Sequence, residues 1–220
     1  AKNIRSWKAY DDKGELLPFQ KLAKDHWRVQ TQGSSVVIIR YSYYCAQPDA
    51  GACWIDEDLV YINPVHCCLY VPDRMHVPCE VTLDIPADYA VACSMESHGH
   101  GRFQATDFHE LVDSPWMASD SLSCHRYQEH GVDFHVWIHG TEIREREKVL
   151  DDFSRFTRLQ LDVMGGIPVD QFHFLILALP FRYYHGVEHL KSTVLALGPA
   201  QSLFEGSLYV DLLGVASHEL

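Results

Sequence analysis

Apolar and polar residues alternate with a period of two over Val81-Thr82-Leu83-Asp84-Ile85 and again over Phe134-His135-Val136-Trp137-Ile138-His139. Successive side chains of a strand point to opposite faces, so this period predicts half-buried strands. Residues 36–44 add a third strand, rich in β-branched and aromatic side chains, that ends at the turn signal Gln47-Pro48-Asp49-Ala50-Gly51. Turn clusters at 11–14, 33–35 and 71–73 punctuate the same region. Short strands so spaced predict a β-sandwich-like domain over residues 1–140.

The period changes near Thr141. This residue is placed to cap a helix, with Glu142 in the first turn where the helix dipole favours a carboxylate. Val149, Phe153, Phe156, Leu159 and Val163 recur at steps of four and three, an apolar helical face stopped by Gly165-Gly166 and Pro168. The almost unbroken apolar run at 172–179 then reads as a buried strand. Residues 207–220 read as a helix without a stop signal. The simplest parse is mostly β with α: a β unit over 1–140, then the opening of an α/β or α+β domain over 141–220.

Composition narrows the function. The chain of 220 residues carries 30 acidic against 18 Lys and Arg side chains, a formal charge of −12. A phosphate backbone is repelled by such a surface, so nucleic acid is not an expected partner. No apolar run approaches the roughly 18 residues of a membrane span, and the first residues lack an apolar signal region. The seven cysteines form no CxxC pair, so they read as free thiols, which leans toward a reducing compartment. Adjacent Cys67 and Cys68, on a strand, would face opposite sides of it.

Fourteen histidines raise the question of a metal. His135 and His139 share a strand face with Trp137 between them, too far apart to hold one ion easily. They read, with His125, His130 and the loop pair His98 and His100, as ordinary histidines. No GxSxG elbow is present, and Asp113-Ser114 before Pro115 has the composition of a turn. Two places differ. Tyr184-His185-Gly186-Val187-Glu188-His189 follows the buried strand and projects a carboxylate beside a glycine, which permits close backbone approach. His218-Glu219 closes an apolar helix and matches the first half of His-Glu-x-x-His, where two imidazoles on one helical face bind zinc.

In this order the motifs resemble the glycyl aminopeptidase family of zinc metallopeptidases. The residues that carry the resemblance are Leu111-Val112-Asp113-Ser114-Pro115, Phe172-His173-Phe174-Leu175, Gly186-Val187-Glu188-His189 with Ser192-Thr193, and Leu212-Leu213 before Ser217-His218-Glu219. The resemblance implies a β-rich N-terminal domain, then the first part of a thermolysin-like α+β catalytic domain, with a PDZ-like domain further on. It implies zinc as cofactor and a peptide as substrate, cleaved from a free N-terminus with small residues such as Gly or Ala preferred. His218 would be a zinc ligand, and Glu219 the general base toward the attacking water. Glu188 would hold the substrate's ammonium, Gly186 and Val187 would offer strand-edge backbone, and His189 would line the pocket. The family has two glycines before its hydrophobic-Glu-His triplet, and His185 stands at the first. The second zinc histidine would fall two residues past Leu220, and the opening Ala1-Lys2-Asn3-Ile4 resembles the middle of the family's N-terminal domain. This piece alone would then be inactive. Two other readings stay open: a β-sandwich binding module, and an endopeptidase on the same scaffold.

Overall fold

The computed structural model describes residues 3–220, so Ala1 and Lys2 of the opening Ala1-Lys2-Asn3-Ile4 lie outside the described residues. The chain divides into two compact units, Ala1–Ala46 and Gln47–Leu220. The first contains β1 (Ile4–Tyr10), β2 (Phe19–Ala23), β3 (His26–Val29) and β4 (Ile38–Tyr43). Strands β1 and β4 pair antiparallel, as do β2 and β3. A bulge between Arg5 and Lys8, with Ser6 at a left-handed φ of 52°, re-aims β1. Trp7 then stacks on Trp27 at 5.5 Å and meets Phe19 at 4.5 Å.

The second unit opens with β5 (Cys53–Ile55), β6 (Val60–Ile62), β7 (Cys79–Thr82), β8 (Ala90–Cys93), β9 (Glu96–Ser97), β10 (Arg102–Ala105), helix α1 (Phe108–Val112) and β11 (Trp116–Ser119). They form a four-stranded antiparallel sheet, β5-β6-β11-β8, and a three-stranded one, β7-β10-β9. The remainder is β12 (Ser123–Glu129), β13 (Val132–His139), α2 (Arg146–Met164), β14 (Gln171–Ala178), β15 (Tyr183–His189), β16 (Ser192–Gly198) and α3 (Gly206–His218). Its five strands lie in the order β12-β13-β14-β16-β15, with the inner three parallel and both edge strands antiparallel.

This mixed sheet is the middle of three layers. One face buries Phe134, Phe172, Phe174 and Ile176 against Val149 and Phe153 of α2 and Leu212 and Val215 of α3. The other buries Leu175, Leu177 and Val194 against Tyr61 and Met117 of the four-stranded sheet. Strand β14 is covered on both faces, which is why residues 172–179 read as a nearly continuous apolar run.

Several expectations shift. The boundary drawn at residue 140 falls inside a βαβ unit, since β13 and β14 pair in parallel with α2 as their crossover. The two compact units divide after Ala46. The two sheets do pack face to face, but one of them is the mixed sheet. Helix α2 starts at Arg146 after Glu145, four residues past the cap expected at Thr141. Its buried stripe is Val149, Phe153, Thr157 and Leu161, whereas Leu159 and Val163 are 65% and 87% exposed. Two successive steps of three carry Leu159 about 120° away from Phe153 around the helix, and Thr157 is buried with its hydroxyl 2.8 Å from that of Tyr127. The C-terminus is as expected: Gly165 is left-handed at φ 80° and donates its N–H to Leu161. Strand β7 ends at Thr82 rather than running to Ile85. Cys67 and Cys68 lie in a loop after the turn at Pro64–His66.

Helix α1 positions the hairpin between β15 and β16. Asp107 caps it, accepting the Glu110 N–H at 2.8 Å. The Glu110 carboxylate accepts from Lys191 Nζ at 2.6 Å and from the Thr106 N–H and hydroxyl. Burial pushes its pKa up, but these partners outweigh burial and hold it down at about 2. Asp113 accepts the Leu190 N–H at 2.9 Å and faces His189 Nδ1 at 3.0 Å. Burial again opposes the charge, and the His189 and Leu190 bonds still keep Asp113 below the ordinary carboxylate range.

Asp113→Ala should therefore loosen the hairpin. About 1.5 kcal/mol is expected, the low end for bonds to a charged acceptor because Asp113 is partly exposed. A depressed folded-state pKa means this stability is present above the unfolded value and lost as pH falls through the folded one. Thermal unfolding of both proteins at pH 7 and pH 3 checks it: the difference should shrink at the lower pH.

Candidate active site

Strand β15 is an edge strand, hydrogen-bonded to β16 alone within the sheet. Antiparallel pairing directs both polar backbone groups of a residue to the same side, and the side alternates along the strand. The Val187 carbonyl accepts the Thr193 hydroxyl of β16 at 3.1 Å, so Val187 turns inward. Gly186 and Glu188 then turn their N–H and C=O groups to the open edge. Of the expected pair, Gly186 presents its backbone at the open edge and Val187 bonds to β16.

Side chains alternate as well. Tyr183, His185, Val187 and His189 occupy one face of β15, and Tyr184, Gly186 and Glu188 the other. Val187 packs into the core between the sheets, and the His189 side chain is 7% exposed and bonded to Asp113. Neither side chain shares a face with Glu219. His189, expected to line the pocket, sits on the buried face and braces the hairpin through Asp113.

The second face meets the end of α3. A Cβ on Gly186 would lie 2.5 Å from Glu219 Oε1 and 2.7 Å from its Cγ. The Glu219 side chain therefore lies flat on bare backbone. Helix α3 is held here from α2, where the Gln160 side-chain amide donates to the Ser217 carbonyl at 2.5 Å. That carbonyl is one of the last-turn acceptors a helix leaves unpaired. Glu219 is the C-cap and still donates its N–H to Val215 at 3.0 Å.

The electrostatics follow from this placement. Burial raises the Glu219 pKa, and the neighbouring Glu188 carboxylate raises it further, while His218 and His185 partly offset both. Glu188 also lies within hydrogen-bonding reach of Glu219, which favours a shared proton. Of the residues singled out in the sequence, Gly186, Glu188, His218 and Glu219 thus come together. Among the described residues no three His, Cys, Asp or Glu side chains converge on one point. His218, the ligand expected from the sequence, ends α3 beside Glu219.

Local sequence pattern misses the support behind the strand. His185 Nδ1 lies 3.2 Å from Asp49 Oδ1. Asp49 also accepts the Tyr183 hydroxyl and the Gly51 N–H, the latter at 2.7 Å. Burial works against ionised Asp49, but Tyr183, Gly51 and His185 together lower its pKa. Residues 47–51 are legible only as a turn, because Tyr183 and Asp49 are 134 positions apart.

The carboxyl pair makes a prediction. An acid with a raised folded-state pKa adds stability below its unfolded value and loses it as pH rises through the folded one. Glu188→Gln should remove the repulsion, moving the Glu219 pKa back toward its ordinary value. Carboxyl ¹³C titration checks the shift directly. The variant's melting temperature should gain on wild type at pH 7 to 8 and not at pH 4.

Known proteins share both the sequence pattern and the fold. The family model of the peptidase M61 N-terminal domain matches residues 1–120, more than half of the chain. A crystal structure of an aminopeptidase N family protein from Idiomarina loihiensis superposes with a TM-score of 0.87 at 22% identity. The match covers 99% of this chain and 39% of that one, so the chain spans well under half of its structural relative. At that identity the likeness speaks for the fold. No curated protein matches the chain. The family model reaches across both compact units, and on that match the chain belongs to the peptidase M61 N-terminal domain family.

Proposed function

We propose that the chain supplies the substrate-anchoring strand and the first catalytic residues of a zinc-dependent aminopeptidase of the glycyl aminopeptidase type. The observation that carries this reading is the convergence of Gly186, Glu188 and Glu219 where an open strand edge meets the end of α3. Family membership supports it from the other end of the chain.

An extended peptide would lie along β15 as an added strand, taking the outward N–H and C=O groups of Gly186 and Glu188. Glu188 would hold its α-ammonium by a charge-assisted bond. That cation would take over the role of the shared proton and leave Glu219 free to act as base. Glu219 would accept a proton from the attacking water and return it to the leaving amine, a task suited to a carboxylate whose pKa is raised. Bound zinc would supply Lewis-acid polarisation, with His218 as one ligand. Further ligands would come from outside residues 3–220, because the described residues do not complete a set. The 220-residue piece alone should accordingly be inactive. The preference for small N-terminal residues belongs to the same proposal.

Two measurements on the intact enzyme test it. Glu219→Gln should retain zinc and lose about 10²-fold or more in turnover; near-normal turnover with zinc loaded would remove the mechanism. Glu188→Ala should lower kcat/KM for free-amine peptides roughly ten- to a hundredfold, the value of a charge-assisted bond of about 1.5–3 kcal/mol. N-acetylated peptides should be poor substrates of wild type and lose little more. Equal losses on both substrates would make Glu188 scaffold and leave an endopeptidase as the better reading.

Gly186→Ala provides a third check. The new methyl displaces the Glu219 side chain, which can swing aside at little cost to folding. Activity should fall at least about tenfold while the melting temperature stays within a few degrees.

A further inference from the structure

A cavity of about 340 Å³ opens between the mixed sheet and the loops around β8, β9 and β10, away from the Glu188 and Glu219 site. Arg126, His135, His173 and Trp137 line it from the sheet, joined by His100 and the hydroxyls of Ser97 and Tyr89. No Asp or Glu lines it, although the chain holds 30 of them and only 18 Lys and Arg. Phe103, Met95 and Val91 are the largest of its apolar wall.

Register explains the cluster. Arg126, His135 and His173 pair in one row across β12, β13 and β14, so their side chains share one face of the sheet. The rings of His135 and His173 stack at 4.5 Å with planes 3° apart, and Trp137 stacks beside them. Stacked rings present their edges, and the edges carry the nitrogen atoms.

The tautomer of His173 follows from its partner. Trp137 Nε1–H donates to His173 Nδ1 at 3.1 Å, so Nδ1 is the acceptor and Nε2 carries the hydrogen. Burial, with the His135 and Arg126 charges added to it, holds the His173 pKa down at about 3 and the ring neutral. His173 is 4% exposed, and its Nε2–H has no hydrogen-bond partner among the described residues. A buried donor left unpaired costs about 1–3 kcal/mol. Arg126 has no carboxylate within ion-pair distance among the described residues. Asp133, on the same face of β13, accepts from the Gln128 amide instead.

We propose that this cavity binds a small organic anion, a monocarboxylate on a compact apolar body, whose oxygens take the His173 Nε2–H and the Arg126 guanidinium. A guanidinium matches a carboxylate two bonds to two. The volume sits at the small end of ligand pockets, and the Phe103 and Met95 wall suits an apolar body. A cation would meet the Arg126 charge with no carboxylate to offset it.

Benzoate is the probe, with benzamide as its uncharged counterpart. The purified protein is titrated while the Trp137 indole and His173 ring ¹H–¹⁵N signals are followed. Benzoate should shift both saturably, benzamide should bind at least about tenfold more weakly, and Arg126→Gln should weaken benzoate by roughly ten- to a hundredfold. Arg126 is exposed, so that variant keeps its fold. N-acetylphenylalanine stands in for a peptide C-terminus: binding tighter than benzoate assigns the carboxylate to a peptide, and weaker binding assigns it to a free acid. Glu219→Gln should bind benzoate like wild type, which separates this site from the proposed catalytic one. No saturable shift, equal binding of benzamide, or an unaffected Arg126→Gln protein would each overturn the proposal.

Discussion

Gly186 has no side chain, and much of the candidate site depends on that. Strand β15 and the end of α3 approach closely enough that any Cβ at 186 would meet the Glu219 side chain at 2.5 Å. The close approach brings two carboxylates together, and two like charges cannot both be ionised there without penalty. Glu219 accordingly holds its proton more tightly than an ordinary glutamate. A cation placed against Glu188 would reverse the balance. Burial and the Glu188 charge together raise the Glu219 pKa, and the missing methyl group is what lets the two carboxylates approach.

The rest of the second unit keeps β15 where this contact needs it. An edge strand is bonded on one side only, so its register and tilt can drift. Here the hairpin tip is tied to α1 by Asp113 and Glu110, the strand's inner face is tied to residues 49–51 through Tyr183 and His185, and its centre packs on β16. The side chains of His185, Val187 and His189 all serve this bracing. That leaves Gly186 and Glu188, together with the open backbone edge, to face outward.

How far the sequence reveals this depends on the range of each interaction. Strand β13 is legible from its period of two, helix α2 from its recurring apolar residues, and strand β14 and helix α3 from their apolar runs. The pairing of Gly186-Val187-Glu188-His189 with His218-Glu219 is legible only through the order of motifs that carries the family resemblance. No local period links Glu188 on a strand to Glu219 at the end of a helix, so their meeting is a product of the fold. Alternation in β13 reads as a half-buried strand of a β domain, yet its polar face is covered by a second sheet and lines a cavity. Asp49 and Asp113 look like turn residues, and in chain terms they are. Their partners lie 134 and 76 positions away, where no local pattern points to them.

The polar row across the mixed sheet shows the same rule at work away from the site. Arg126, His135, His173, Ser192 and His189 pair in turn across all five strands. A fully apolar row there would pack more cheaply, as the Leu175 and Val194 row beside it does. Instead the Nε2 atoms of His173 and His189 and the Ser192 hydroxyl lie buried without a partner among the described residues. Unpaired buried polar atoms of this kind are uncommon in native proteins and call for water, a ligand or a chemical role. Asp113 anchors the row at β15 and Arg126 ends it at β12, so a carboxylate arriving beside Arg126 and His173 would complete it with the charge its open end lacks.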